Sequence, residues 1–115
     1  MILVCGGAGY IGSHTVHLLS RGGFEVCVLD NMQKGHAESI GGFKLYRGDL
    51  RDGGVLDTVF GENKIDAVVH FAANSLVGES VREPLKYYDN NVAATMNLVS
   101  AMLRHNVKKI VFSST

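Results

Sequence analysis

Neither sign of charge dominates this chain: 11 lysines and arginines stand against 11 aspartates and glutamates. That balance excludes a basic field of the kind that draws nucleic acid or an anionic membrane surface. No apolar run approaches the length of a membrane span. The apolar segment that opens at Ile2 leaves no room ahead of it for a signal peptide. Cysteine is scarce, with only Cys5 and Cys27, both inside apolar segments. They read as reduced core thiols rather than as a disulfide, which suits a cytoplasmic setting. Among the five histidines, His14 and His17 lie one helical turn apart but lack a third ligand, so a structural role and no metal are expected. Repeats, low-complexity segments and linkers are missing as well. The 115 residues, 46% of them hydrophobic, read as one globular domain, 1–115, burying about two-thirds of its unfolded surface.

What the chain has in quantity is glycine, 14 residues, and three of them stand in a pattern. Gly6, Gly9 and Gly12 recur at intervals of three between the apolar run Ile2–Cys5 and a helical pattern carried by Ile11, Val16, Leu18 and Leu19. The run suits a strand buried on both faces. Gly22 and Gly23 form a helix stop. Phe24 to Leu29 reads as a second strand ending at Asp30. All of this fits one βαβ unit of about thirty residues, the context in which a glycine triplet signals phosphate binding. Gly6 permits a sharp turn out of the strand, Gly9 a close backbone approach to a pyrophosphate, and Gly12 tight packing of helix on strand. The helix N-terminus then faces the phosphates. Asp30, eighteen residues beyond Gly12, can accept hydrogen bonds from both hydroxyls of an adenosine ribose and repel a 2′-phosphate. A glycine-rich turn with a solvated aspartate is the plain alternative.

The alternation continues. Phe43 to Arg47 reads as a third strand, followed by a short helix from about Val55 to Phe60 with Asp52 as its N-cap. Ala67 to His70 reads as a fourth strand. A long helix runs from Pro84, the single proline, to about His105, with an apolar stripe of Leu85, Tyr88, Val92, Thr95, Val99 and Met102. Lys109 to Ser113 reads as a fifth strand. Strands alternating with helices predict an α/β fold: a doubly wound parallel sheet of about five strands, helices on both faces, and ligand outside the carboxyl ends. Those ends carry Asp49 and Leu50, then Phe71-Ala72-Ala73-Asn74-Ser75, then Ser113, Ser114 and Thr115. Each alone suits a turn or cap equally well. Their shared placement on one sheet edge points to a ligand site.

The segments "GGAGYIGSHT", "LDN", "GDLRD", "HFAANSLVGES", "PLKYYDNNV" and "KKIVFSST" together resemble the extended short-chain dehydrogenase/reductases. Within them the pairing of "VGES" with "PLKYYDNNV" resembles the UDP-glucose (UDP-galactose) 4-epimerase family, from Ile2 to Thr115. The resemblance implies a Rossmann fold binding NAD. It implies cofactor contacts from Gly6, Gly9, Tyr10, Ile11 and Gly12. Asp30 and Asn31 would hold the adenosine ribose, and Asp49 and Leu50 the adenine. Phe71, Ala72, Ala73, Asn74, Ser75, Asn90 and Ser113 would line the remaining cofactor path. Thr115 falls where the family places a catalytic Ser or Thr. Two positions depart from the family pattern: Cys5 stands where threonine is usual, and Ser75 where some members carry lysine.

The resemblance also implies the chemistry. A tyrosine base takes the proton of the sugar 4-hydroxyl while hydride leaves C4 for NAD. The 4-keto sugar turns over, and hydride returns to its other face. UDP-glucose and UDP-galactose are the implied substrates, and a homodimer paired through the helix from Pro84 to His105 is the implied assembly. The family's Tyr-x-x-x-Lys pair lies beyond the Ser/Thr position, and Tyr87 and Tyr88 cannot replace it, because Asn91 and Val92 occupy their fourth-residue partners. The expectation is the cofactor-binding front of an epimerase, inactive by itself, without the second half and the sugar-binding lobe. Another nucleotide-sugar dehydratase or reductase, or a non-catalytic dinucleotide-binding module or sensor, remains as an alternative.

Overall fold

The computed structural model describes residues 1–6, 10–31, 41–71 and 84–112, with the main chain alone for residues 10 and 84–91. Five strands pair in parallel: β1 (Ile2–Cys5), β2 (Val26–Asp30), β3 (Lys44–Arg47), β4 (Ala67–His70) and β5 (Ile110–Phe112). Their order across the sheet is β3-β2-β1-β4-β5. Among the described residues three helices accompany them: α1 (Tyr10–Arg21), α2 (Gly53–Glu62) and α3 (Pro84–Arg104). The chain works outward from β1 to β3, then crosses back to β4 and continues the other way. The reversal falls between β1 and β4, where an open parallel sheet leaves its ligand crevice. The doubly wound fold expected from the alternation is thus the one observed.

Side-chain alternation along the strands builds two cores. Leu3, Cys5, Cys27, Leu29 and Val68 face α2 and α3, where they meet Leu56, Val59, Phe60, Leu98, Ala101 and Met102. Val4, Val26 and Val28 face α1 and meet Val16, with Leu19 and Phe43 at the margin. Both cysteines are buried free thiols. Burial pushes both upward, Cys27 to about 11. Thiols so placed are protonated at neutral pH and chemically quiet. Among the described residues no histidine, cysteine or acid cluster could hold a metal. His17 instead packs edge-on against Phe43, with ring centroids 5.2 Å apart. No helix among the described residues is long and apolar enough to cross a membrane.

Helix boundaries follow local chemistry. Asp52 caps α2, its Oδ1 accepting from the Gly54 and Val55 amides at 2.9 and 3.4 Å. The cap fixes the first helical residue at Gly53, two positions ahead of the expected Val55. The helix α1 ends at Arg21, and Gly23 takes the left-handed conformation at φ +90°. The Phe24 amide then bonds back to the Leu19 carbonyl at 3.1 Å. Phe24 therefore belongs to the helix stop, and β2 begins at Val26 rather than at Phe24 as expected. Asn106, at φ +62°, closes α3, and the Val107 amide reaches back to the Met102 carbonyl at 2.8 Å.

Two expected stripes are corrected. In α1 the buried residues are Gly12 and Val16, with Leu19 half-buried, whereas Ile11 and Leu18 are exposed. In α3 the buried residues are Leu98, Ala101 and Met102, while Val92 and Val99 lie toward solvent. Among the described side chains of α3, Leu98, Ala101 and Met102 pack into the core while Val92, Met96, Val99 and Leu103 are exposed, so its apolar residues divide between two faces. Leu85 and Tyr88 lie outside the described side chains.

Candidate functional site

All five strands end on the same rim, and backbone hydrogen bonds carry the sheet one residue past three of them. The Gly6 amide donates to the Leu29 carbonyl at 2.8 Å, Phe71 to Cys5 at 2.6 Å, and Gly48 to Asp30 at 3.1 Å. The first residues leaving β1, β3 and β4 are therefore each held against the end of a neighbouring strand. Gly6, at φ +84°, turns in a region closed to most L side chains, as the glycine pattern required. Gly12 is buried in the first turn of α1, as tight helix–strand packing needs, and Ile11 beside it is exposed.

Asp30 terminates β2 and is almost wholly buried, and Asn31 follows it exposed. Hydrogen bonding ties Asp30 through its carbonyl to Gly48, so the ends of β2 and β3 form one continuous shelf. On that shelf stand Asp49, half-buried, and Leu50, whose side chain is buried in the core between sheet and helices. The Asp49 carboxylate accepts the Arg51 main-chain amide at 2.9 Å and its guanidinium at 2.8 to 3.2 Å. Those bonds hold its carboxyl below the usual carboxylate range. At the end of β4, His70 is buried beside Phe112, with ring centroids 5.5 Å apart. Burial lowers its pKa, so the imidazole is neutral at pH 7.

The described part of the rim thus brings together Gly6, Ile11, Gly12, Asp30, Asn31, Asp49, Leu50 and Phe71. Of these, Asp30, Asn31, Asp49 and Leu50 are the residues expected at the adenosine, Gly6, Ile11 and Gly12 those expected at the glycine turn, and Phe71 opens the expected remaining path. Tyr10 and Asn90 are placed on helices by their main chain only. Gly9, Ala72, Ala73, Asn74, Ser75, Ser113 and Thr115 lie outside the described residues.

Residues 2–115 match the NAD dependent epimerase/dehydratase family. The chain belongs to that family. It is 61% identical over 114 residues to the UDP-glucose 4-epimerase of Halalkalibacterium halodurans, covering 99% of this chain and 34% of that protein. Among solved structures it resembles the UDP-glucose 4-epimerase from Brucella ovis in complex with NAD. That likeness has a TM-score of 0.94 at 42% identity, over 98% of this chain and 35% of the other. The enzyme from Bifidobacterium longum in complex with NAD+ and UDP is similar at a TM-score of 0.93 and 46% identity, over 99% and 36% of the two chains. This member of the epimerase/dehydratase family spans about a third of the length of the curated relatives it matches.

Three features of the rim escaped the sequence reading. Arg51 carries a signal, because an aspartate two residues upstream of an amide commonly closes an Asx turn. Asn97 carries none: its Nδ2 donates to the Arg51 carbonyl at 2.9 Å from 46 residues away. Gly48 is the third. A Cβ built there would lie 2.7 Å from Val55 Cγ1 and 3.0 Å from Cγ2. Valine is stiff about χ1 and cannot turn aside, so the loop lies against α2 only because Gly48 has no side chain. We predict that Gly48→Ala destabilises the fold by about 1–3 kcal/mol, as overpacking does. Val55→Ala should remove most of that penalty in the double variant. Urea unfolding of the four proteins checks this, and simply additive losses would rule out the contact as the cause.

Proposed function

We propose that this chain is the dinucleotide-binding part of an NAD-dependent UDP-glucose 4-epimerase, an enzyme interconverting UDP-glucose and UDP-galactose. The observation that carries the reading is the 61% identity to such an enzyme along nearly the whole chain. The rim supports it chemically: a glycine-only turn at Gly6 and a terminal acid at Asp30 are what a dinucleotide pyrophosphate and ribose require. When bound, NAD supplies a hydride acceptor that later gives the hydride back.

In this reading Gly6, Gly9, Tyr10, Ile11 and Gly12 hold the pyrophosphate. Asp30 and Asn31 bind the adenosine ribose, and Asp49 with the Leu50 main-chain amide binds the adenine. Phe71, Ala72, Ala73, Asn74, Ser75, Asn90 and Ser113 line the remaining cofactor path, and Thr115 orients the sugar hydroxyl. The whole enzyme works in the cytoplasm, which suits buried thiols kept reduced.

The same reading includes pairing of two copies through α3. Val92, Met96, Val99 and Leu103 are 39, 65, 38 and 73% exposed. Their spacing of four, three and four places them along one face of the helix, as in a helix-pairing seam. A dimer in sedimentation velocity that Met96→Glu and Leu103→Glu convert to monomer is the expected result. A wild-type chain that stays monomeric at high concentration would count against the pairing.

Cofactor choice follows from Asp30, whose carboxylate repels a 2′-phosphate. NAD is expected to bind more tightly than NADP, and Asp30→Asn should narrow the gap from both sides. Calorimetric titration of both dinucleotides checks it, and equal or tighter NADP binding by the wild type would sink the assignment.

Catalysis needs more than this rim. Epimerisation requires a base with a pKa near the working pH, in reach of the sugar hydroxyl, and none of the four tyrosines is followed four residues later by lysine. Thr115 can orient a hydroxyl but cannot take its proton at neutral pH. The 115-residue chain, incubated with NAD and UDP-galactose, is expected to form no UDP-glucose by chromatography. Turnover above a protein-free control, unchanged by Thr115→Val, would mean the active site lies elsewhere.

A further inference from the structure

The loop after β3 is braced from two directions. Inside it, the Asp52 amide donates to the Asp49 carbonyl at 2.9 Å. Arg51 grips the Asp49 carboxylate three ways: main-chain N to Oδ1 at 2.9 Å, Nε to both oxygens at 3.2 Å, and Nη2 to Oδ2 at 2.8 Å. From outside, Asn97 on α3 donates to the Arg51 carbonyl at 2.9 Å. Asn97 in turn is held by its helix neighbour Leu98, which is fully buried. A carboxylate on a surface loop ordinarily samples several rotamers. This one is fixed by a planar fork, and the residue bearing the fork is fixed by a helix from another part of the chain.

The arrangement leaves the carboxylate able to do something further. A carboxylate offers about four acceptor directions, and Arg51 approaches both oxygens from its own side. The Asp49 side chain is still 36% exposed, so acceptor capacity remains on the side away from Arg51. The guanidinium also keeps the group ionised to lower pH than an ordinary aspartate, and an ionised carboxylate accepts hydrogen bonds but cannot donate one.

We propose that Arg51, latched to α3 by Asn97, is a positioning residue that fixes Asp49 as an acceptor selecting a 6-aminopurine over a 6-oxopurine in the bound dinucleotide. The proposal rests on the dinucleotide reading above, which already sets Asp49 at the adenine, and adds the two residues that hold its carboxylate in place. A 6-amino group donates to the carboxylate, whereas a 6-oxo group meets it lone pair to lone pair. An aspartate free to rotate could swing away from the 6-oxo ring and lose that discrimination. Lysine cannot substitute for the fork, since a point charge leaves the plane of the carboxylate undefined.

Titration calorimetry with NAD and with nicotinamide hypoxanthine dinucleotide, in which the amino group is replaced by a carbonyl, tests this. The wild type is expected to favour NAD by about ten-fold, the size of one hydrogen bond to a charged acceptor. Asp49→Ala should bring the ratio close to one. Arg51→Ala and Asn97→Leu should lower it toward the Asp49→Ala value, and Arg51→Lys should fall between. Thermal unfolding of each variant accompanies the titrations, and if Arg51→Ala does not fold, Arg51→Lys and Asn97→Leu decide. A ratio that survives in the Arg51 and Asn97 variants, even with both affinities weakened equally, overturns the positioning role. A wild type that binds both dinucleotides equally overturns the adenine selection while leaving the dinucleotide site standing. Binding of neither overturns the dinucleotide reading, and the proposal with it.

Discussion

Parallel pairing of β1 with β2 on one side and β4 on the other is the constraint on which the rest depends. A strand with neighbours at both edges and helices over both faces has no access to water, so its backbone groups must be satisfied within the sheet. The three amides that continue the ladder beyond the strand ends, at Gly6, Gly48 and Phe71, extend that requirement into the loops. Each loop therefore begins from a fixed point, and all of these points lie on one rim. The site inherits its geometry from hydrogen bonds that the sheet needs in any case. Only the residues immediately beyond them, such as Asp49 and Arg51, are left to chemistry.

The helices are held mainly by what they bury. Leu56, Val59 and Phe60 of α2 and Leu98, Ala101 and Met102 of α3 share one core with the sheet, and each large side chain contributes about 1.5–3 kcal/mol. The polar ties that α2 makes to α3 and to β3 are exposed. Asp57 accepts from Arg104 and lies 3.0 Å from the His105 ring, and Tyr46 donates to Glu62 at 2.7 Å. Exposed pairs of this kind are worth about 0–1 kcal/mol, so they set orientation more than stability. Orientation is what the rim uses. The packing of α3 against α2 brings Asn97 to the Arg51 carbonyl and keeps the capped start of α2 beside Gly48.

What the sequence disclosed follows the range over which each feature acts. Strand runs, the glycine stop at Gly22-Gly23, the Asp52 cap and the Pro84 start are decided within a few residues, and all appear where their chemistry puts them. Boundaries shifted where a cap claimed residues that also look like strand, as Phe24 does. Helix faces were misjudged where apolar residues exceed what one buried face can take: Ile11 and Leu18 in α1, Val92 and Val99 in α3. Spacing identifies a helix but does not say which of two apolar faces meets the sheet. On the site, Gly6, Asp30 and Asp49 were legible because motif position fixes them. The Asn97 latch and the Gly48–Val55 contact were not, because both depend on how separate elements pack.

Among the described residues, the two outer strands of the sheet differ in the charge they present. Lys44 and Arg47 frame β3, both exposed, and charge at a sheet border discourages foreign strands from zipping onto it. The opposite border is Ile-Val-Phe, and Val111 and Phe112 are both exposed there without a charged residue among the three. Pairing at the sheet borders is thus directional: the charges of β3 discourage a further strand, whereas the uncharged apolar edge of β5 is open to one, from this protein or from another.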